Sequence, residues 1–184
     1  QSGDHADFSL SSADPAYMRG LRISAIAVDP ADSKRIYVAY KRRGGASGLV
    51  VTTDGGASFH KEREFAGDEI RLLYHGSKGL IAVGARTVHR NSAGQWESTP
   101  IAAGPVAYAS AGVSGQAQYL YAATAKAALL VSEDEGRTWQ VRTPSLGQQS
   151  GRFEIVAASA REGRTAYAGF RYLKLGARPE DLYN

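Results

Sequence analysis

The sequence predicts an all-β fold built from repeated four-stranded antiparallel units, and three observations support this prediction. Residues 52–59 (TTDGGASF) and 132–139 (SEDEGRTW) share the pattern Ser/Thr-x-Asp-x-Gly-x-Ser/Thr-aromatic. An eroded copy, NSAGQW, lies between them at 91–96, so the aromatic residues at 59, 96 and 139 are spaced by 37 and then 43 residues. Segments with β-branched, aromatic and small residues alternating at period two flank these copies. A repeat of about forty residues fits one blade of a β-propeller.

Each position of the repeated pattern has a local structural role. The aspartates at 54 and 134 are expected to accept hydrogen bonds from backbone N–H groups just downstream and so to lock a turn between two strands. The glycines that follow suit a backbone with positive φ, the hydroxyls tie the hairpin, and the aromatic residues pack between neighbouring blades. This turn chemistry explains the recurring carboxylate better than catalysis or metal binding does. The predicted structural set is Thr52, Asp54, Gly56, Ser58, Phe59, Ser132, Asp134, Gly136, Thr138, Trp139 and Trp96.

Alignment on these turns predicts the strands of four units in order, at about 21–65, 69–100, 104–144 and 151–184. The inner strands are ISAIAV from Ile23, IRLLYH from Ile70, VAYASA from Val106 and FEIVAA from Phe153. The second strands are RIYVAY from Arg35, LIAVGA from Leu80, YLYAAT from Tyr119 and TAYAGF from Thr165. Third strands, GLVV from Gly48 and ALLV from Ala128, run into the turns, and SFHKERE and TWQVRT leave them as fourth strands.

The fourth unit stops after its second strand, so residues 21–184 are expected to supply about 3.5 blades of a larger ring. Propeller rings need roughly four to eight blades to close, and uncovered blade faces would be apolar. We therefore expect a companion fragment or chain to complete the propeller, separated from this one at an exposed loop. Residues 1–20 are expected to form either a lead segment without regular structure or a ring-closing strand.

Composition limits the functional classes. The 184 residues are 43% hydrophobic and 22% charged, which is ordinary for a globular domain, and no apolar run reaches the length of a membrane span. There is no cysteine, which excludes disulfides, thiolate catalysis and cysteine-ligated zinc. The net charge of +4 favours anionic partners, but nucleic acid is not expected because basic and aromatic residues are not interleaved. A start at Gln1 favours a processed, secreted or periplasmic protein.

With its two matching turns and an Asp-Pro turn after the first inner strand, the chain from about residue 21 resembles the BNR/Asp-box superfamily of propellers. Sialidases, xyloglucanases, sortilin-like receptors and photosystem assembly factors belong to this superfamily, so the resemblance implies the architecture and leaves the activity open. The comparison with sialidases implies that Arg22 in LRIS corresponds to their carboxylate-binding arginine, although the motif's aromatic residue and proline are missing. The alternative is that Arg22 faces solvent or pairs with a nearby carboxylate.

A glycoside hydrolase needs two carboxylates about 5–9.5 Å apart. Asp68 and Glu69, in the connection between the first two units, are the only candidates, and the alternative is that they are solvated loop charges. The four histidines lack the short spacing of a metal or general-base cluster, so no metal and no cofactor are predicted.

A basic residue follows the second strand of every unit, which predicts a cationic rim on one face. This rim could bind the anionic group of a glycan or a protein, and nearby tyrosines could stack on sugar rings. The alternative is that these residues merely end strands in solvent. We predict a binding module for glycan or protein, the alternative being a glycoside hydrolase, sialidase-like or xyloglucanase-like, whose catalytic residues lie largely outside this chain. The predicted ligand-binding residues are Arg22, Lys41, Arg42, Arg43, Arg86, Lys126, Arg171, Tyr40 and Tyr172.

Overall fold

The computed structural model describes residues 21–45, 47–114, 117–143 and 151–172. These residues form fourteen strands and no helix. The described residues therefore contain no helix that could span a membrane. The predicted lead segment, 1–20, lies outside the described residues. The strands are β1 (Leu21–Asp29), β2 (Asp32–Arg42), β3 (Ser47–Thr52), β4 (His60–Glu64), β5 (Ile70–His75), β6 (Leu80–Gly84), β7 (Thr87–Ser92), β8 (Gln95–Pro100), β9 (Val106–Ser114), β10 (Ala117–Thr124), β11 (Leu129–Ser132), β12 (Gln140–Val141), β13 (Gly151–Ala158) and β14 (Ala166–Tyr172).

The strands form four sheets in which each strand pairs with the next one along the chain. Sheet 1 contains β1–β4, sheet 2 contains β5–β8, sheet 3 contains β9–β12 and sheet 4 contains β13 and β14. The registered pairings are antiparallel, as short turns between successive strands require. The fold class is therefore confirmed as all-β, with three four-stranded antiparallel sheets and one two-stranded sheet among the described residues.

Several predicted strand starts differ from the observed ones by two or three residues: β1, β2, β10 and β13 begin earlier than predicted, and the fourth strands begin later. The fourth strands begin at His60 and Gln140, later than the sequence pattern predicts, and β12 has only two residues. The reason is that Ser58 and Thr138 are still part of the turns, because each donates hydrogen bonds back to the preceding aspartate.

All four inner strands share an irregularity near their start. The register with the second strand slips between Ile23 and Ala25 in β1, between Ile70 and Leu72 in β5, between Val106 and Tyr108 in β9, and between Phe153 and Ile155 in β13. Each slip leaves one residue without a partner in the ladder: Ser24, Arg71, Ala107 or Glu154. A bulge of this kind redirects the extra side chain away from the simple alternation of faces.

The chain divides into two compact units, Gln1–Ser98 and Thr99–Asn184. In the first unit a buried core joins sheets 1 and 2: Ala39 and Leu49 come from sheet 1, and Ile70, Leu73, Leu80 and Ala82 come from sheet 2. Phe65 enters this core from the connection between the sheets, and Trp96 packs against it with ring centroids 6.0 Å apart. The alternating sequence pattern gives each sheet an apolar face, and sheets 1 and 2 pack together on these faces.

The second unit has its own core between sheets 3 and 4. Tyr119, Tyr121 and Ala123 of β10 pack against Phe153 and Val156 of β13. The Tyr121 hydroxyl donates a 2.7 Å hydrogen bond to the carbonyl oxygen of Gly163, which satisfies the one polar atom of this buried ring. A side chain at Gly112 would come within 2.7 Å of the same carbonyl oxygen, so this close approach of the two sheets requires glycine.

Candidate functional site

The turn between β3 and β4 is held by the side chain of Asp54. Its Oδ1 accepts hydrogen bonds from the Thr52 hydroxyl at 2.6 Å and from the Ser58 N–H at 2.9 Å, and its Oδ2 accepts one from the Ser58 hydroxyl at 2.6 Å. The Thr52 hydroxyl in turn accepts from the Gly56 N–H at 2.9 Å, where Gly56 has a φ of 102°. The hydrogen bonds from Ser58 and Thr52 lower the pKa of Asp54 well below its usual value.

The turn between β11 and β12 repeats this network with matching distances. Asp134 accepts from the Ser132 hydroxyl at 2.8 Å, from the Thr138 N–H at 2.8 Å and from the Thr138 hydroxyl at 2.6 Å. Partial burial acts to raise the pKa of Asp134, but the hydrogen bonds from Thr138 and Ser132 outweigh it and the pKa is lowered. All of these partners belong to the turn itself, so both carboxylates are used within their own turns.

The eroded third copy forms a shorter turn between β7 and β8. The Gly94 N–H donates to the Asn91 side-chain oxygen at 2.9 Å, and Ala93 and Gly94 both have positive φ values of 51° and 82°. Two residues of this kind make a tight hairpin that needs no aspartate. This explains why the pattern is shorter here while the aromatic residue, Trp96, is retained.

The two ends of sheet 1 carry different chemistry. The β1–β2 turn and the Asp54 turn lie at one end of its antiparallel strands. The start of β1, the end of β2 and the start of β3 lie at the other end, where Arg22 pairs in register with Lys41 and Lys41 with Ser47. The predicted ligand-binding residues of the first unit are therefore placed away from the aspartate turns.

Glu69 forms ion pairs with three cationic side chains at the end of sheet 1 that lies opposite the Asp54 turn. Its carboxylate accepts from the Arg22 guanidinium, from Lys41 Nζ at 2.7 Å and from Arg71 Nη1 at 2.9 Å. The Glu69 side chain is only 9% exposed, whereas Arg22 is 64%, Lys41 35% and Arg71 30% exposed. We call these four residues the three-cation cluster. It has one negative and three positive charges, with the cations on the solvent side.

The ionisation of Glu69 follows from these contacts. Burial acts to raise the pKa of Glu69, but the hydrogen bond from Lys41 and the positive charges of Arg71 and Arg22 outweigh it, so the pKa is lowered. Glu69 is thus a buried, ion-paired carboxylate rather than the solvated loop charge that we gave as the alternative. Arg22 pairs with this carboxylate, in agreement with the alternative interpretation of Arg22 given from the sequence.

Asp68, the second predicted carboxylate, shapes the connection between sheets. Its Oδ1 accepts from the Arg86 N–H at 3.0 Å, and its Oδ2 lies 3.5 Å from Nε2 of the buried His89. Nδ1 of His89 lies 2.8 Å from the Ser98 hydroxyl. A side chain at Gly84 would overlap the Asp68 carboxylate, so the glycine makes room for this arrangement. Asp68 is therefore largely enclosed and does not stand free as a loop charge.

The remaining predicted residues of the first unit differ in how far they are exposed to solvent. Arg43 and Arg86 are exposed, and Arg42 is half-buried. The prediction that Tyr40 stacks on a sugar ring needs correction: Tyr40 is 7% exposed, because its ring packs over Gly48, where an added side chain would lie 2.5 Å from the Tyr40 hydroxyl. Arg71, two residues after Glu69 and at the bulge in β5, was missed by the sequence prediction.

The second unit repeats part of this arrangement. Arg152 pairs in register with Arg171, at the same place in sheet 4 as Arg22 and Lys41 in sheet 1. Glu154 lies 3.0 Å from Arg171 and 3.4 Å from Arg152. Tyr172 is 54% exposed and Lys126 is exposed. The idea that the basic residues of all four sheets form one rim stays a prediction, as do the roles assigned to these side chains.

No group of three His, Cys, Asp or Glu side chains with the geometry of a metal site occurs in the part of the chain that the structure describes.

Comparison with solved structures defines the class of fold. The chain is similar to YCF48 from Cyanidioschyzon merolae, with a TM-score of 0.56 and 16% identity over 86% of this chain and 57% of that one. It is also similar to YCF48 bound to D1 peptide, with a TM-score of 0.55 and 13% identity over 76% of this chain and 43% of that one. A third similarity is to the GH74 enzyme of Niastella koreensis, with a TM-score of 0.49 and 18% identity over 74% of this chain and 24% of that one.

The described residues thus have the fold of part of a β-propeller, with three four-stranded sheets and one two-stranded sheet, and the chain spans about half the length of the two YCF48 chains. Identities of this size show the fold and leave the ligand open. No protein-family model matches the sequence, and no curated protein matches it.

Proposed function

We propose that this propeller is a binding module that holds an anionic group of its ligand at the three-cation cluster. The observation that supports the proposal is the charge count around Glu69, where one carboxylate meets Arg22, Lys41 and Arg71. Two positive charges remain uncompensated within the cluster. A carboxylate or sulfate of the ligand would complete it with charge-assisted hydrogen bonds.

The buried carboxylate also prepares the cations for binding. Long cationic side chains lose rotamer freedom when they bind, and this lowers affinity. Glu69 already holds Lys41 at 2.7 Å and Arg71 at 2.9 Å, so part of that cost is met during folding. Arg22 remains the most exposed of the three and is the side chain that a ligand would meet first.

The same geometry favours binding over catalysis by the two predicted carboxylates. The acid of a glycoside hydrolase must keep its proton near neutral pH, which requires a raised pKa. Glu69 has a lowered pKa, and Asp68 is engaged with the backbone of Arg86. A lowered pKa does not suit Glu69 to be this acid, and both carboxylates already have partners within the protein.

A protein segment is the ligand class that we propose. One of the similar propellers was solved with a peptide bound, and an acidic side chain or terminal carboxylate supplies the anionic group. The matching Asp54 and Asp134 turns support assignment to the Asp-box propellers. In this view the chain acts with further blades of the ring as a secreted or periplasmic protein.

The test is calorimetric titration with a hexaglutamate peptide at about 50 and 200 mM NaCl. We expect binding that weakens at the higher salt concentration. The double variant Arg22→Ala/Arg71→Ala should bind at least about tenfold more weakly, a loss of about 1.4 kcal/mol. Lys41 still pairs with Glu69 in this variant, so the carboxylate is not left alone.

Arg161→Ala/Arg164→Ala is the matched control, because it removes the same charge from two exposed arginines near the β13–β14 turn. It should bind as the wild type does. A sulfated glycan is titrated in parallel to distinguish the ligand classes. If only the sulfated glycan binds, the ligand class is a glycan and not a protein segment. Equal affinities for the two double variants, or no binding of either ligand, would exclude the cluster as the binding site.

A further inference from the structure

A second site lies in the first unit, at the opposite end of sheet 1 from the three-cation cluster. Residues of sheets 1 and 2 line a cavity of about 280 Å³ there, which is partly open to solvent. Its apolar lining includes Tyr37 and Val51, which are paired in register on β2 and β3, Leu80 at the start of β6, and Ala93. The volume is just below that of ordinary small-molecule pockets, roughly 300–1,000 Å³, so it suits a ligand of about one sugar unit.

One group of polar lining residues is fixed by Asp29. Its Oδ1 accepts a hydrogen bond from the Ala31 N–H at 2.9 Å, and its Oδ2 lies 3.6 Å from Nε2 of His75 and 3.9 Å from Nε of Arg35. The His75 ring also faces the Tyr37 ring, with centroids 6.5 Å apart. Asp29 is thereby held in one orientation with acceptor capacity left for a ligand hydroxyl.

A second polar pair comes from β4 and β7. Nδ2 of Asn91 lies 3.3 Å from Oε1 of Glu62, which leaves the second oxygen of this exposed carboxylate available. Gly79 lets the β5–β6 turn approach β7, since an added side chain would overlap the Asn91 carbonyl group. The cavity depends on this close approach.

The charges of the cavity are nearly balanced. Two carboxylates, Asp29 and Glu62, face one arginine, Arg35, and one histidine, His75. There is therefore no excess of positive potential to hold an anion, in contrast to the three-cation cluster. An aromatic ring beside carboxylate and amide groups matches a pyranose, whose C–H face is apolar and whose rim carries hydroxyl groups.

We propose that this cavity binds a neutral sugar unit, with the C–H face against Tyr37 and the hydroxyl groups donating to Asp29 and Glu62. The site is independent of the anion-binding function, because it uses none of the same residues.

Chemical-shift mapping on the ¹⁵N-labelled protein tests the proposal. Glucose, galactose, mannose, fucose and N-acetylglucosamine would each be titrated to about 50 mM, which covers millimolar affinities. We expect at least one of them to shift the amide signals of Gly79 and Asn91 in a saturable way. Glucuronate and glucosamine test the charge argument, and neither should bind more tightly than the best neutral sugar.

Glu62→Ala should weaken this binding at least about tenfold. Its control is Glu64→Ala on the same strand, which lies outside the cavity and should leave the affinity unchanged. Asp29→Asn, which keeps the acceptor for the Ala31 N–H, provides a second test if Glu62→Ala fails to fold. The proposal is overturned if no neutral sugar shifts these signals, or if Glu62→Ala and Glu64→Ala have the same affinity. Preferential binding of glucuronate would likewise reject a neutral ligand.

Discussion

Replacing Asp134 by alanine should remove the lock of the second aspartate turn and destabilise its sheet. The carboxylate accepts three hydrogen bonds, from the Ser132 hydroxyl, the Thr138 N–H and the Thr138 hydroxyl, at 2.6–2.8 Å. Hydrogen bonds to a charged group contribute about 1.5–3 kcal/mol each. Thr138 is exposed and its groups can turn to water in the variant, whereas Ser132 is 1% exposed. We therefore expect a net loss of about 2–4 kcal/mol rather than the full sum.

Urea unfolding followed by tryptophan fluorescence and circular dichroism measures this loss at neutral pH. A thermal scan should show a decrease of roughly 5–15 °C in Tm for a chain of this size. Asp134→Asn keeps one acceptor oxygen and should lose about half as much free energy of unfolding.

Glu133→Ala is the matched control for Asp134→Ala. It removes the same charge from the neighbouring exposed residue and should change stability by less than about 0.5 kcal/mol. The pKa of Asp134 is lower in the folded protein than in the unfolded chain, so its contribution is complete above the unfolded value of about 3.9. That contribution is lost as the pH falls through the folded pKa, and the wild type and Asp134→Ala should then converge. If the two alanine variants are equally stable at neutral pH, the turn network is not what stabilises the sheet.

Two further predictions concern the connection between sheets 1 and 2. Glu69→Gln leaves three cations without their carboxylate and should lower the free energy of unfolding by about 1–3 kcal/mol. This range is already reduced because Arg22 is exposed to solvent. Added salt should make the difference between variant and wild type smaller in urea unfolding. Gly84→Ala should lower Tm because the new side chain meets the Asp68 carboxylate. The double variant Gly84→Ala/Asp68→Ala should lose less stability than the sum of the losses in the two single variants. An unchanged deficit at high salt, or strict additivity of the two substitutions, would contradict these explanations.

The turns could be predicted from sequence because their chemistry is local. Asp54 bonds to residues within four positions of itself, and Asp134 does the same. Spacing of these turns, together with period-two alternation, was then enough to place the inner and second strands of all four sheets. Local hydrogen bonds and strand periodicity depend only on neighbours along the chain.

The three-cation cluster could be predicted only in part. Arg22 was predicted from the resemblance to sialidases and Lys41 from its place after the second strand, whereas Arg71, at the β5 bulge, was not predicted. Register slips of one residue reverse the face on which a side chain lies, and the sequence carries no clear mark of this slip. Tyr40 was misplaced for a related reason, since its burial depends on the missing side chain of Gly48 on the adjacent strand.

The amino-acid sequence by itself determined the all-β class, the repeat length and the aspartate turns, because each of these is encoded within a few consecutive residues. Only the tertiary structure decided which charges meet at Glu69 and that Asp29, Glu62 and Tyr37 line one cavity. Those groupings join residues up to 47 positions apart, and they arise from how sheets 1 and 2 pack together.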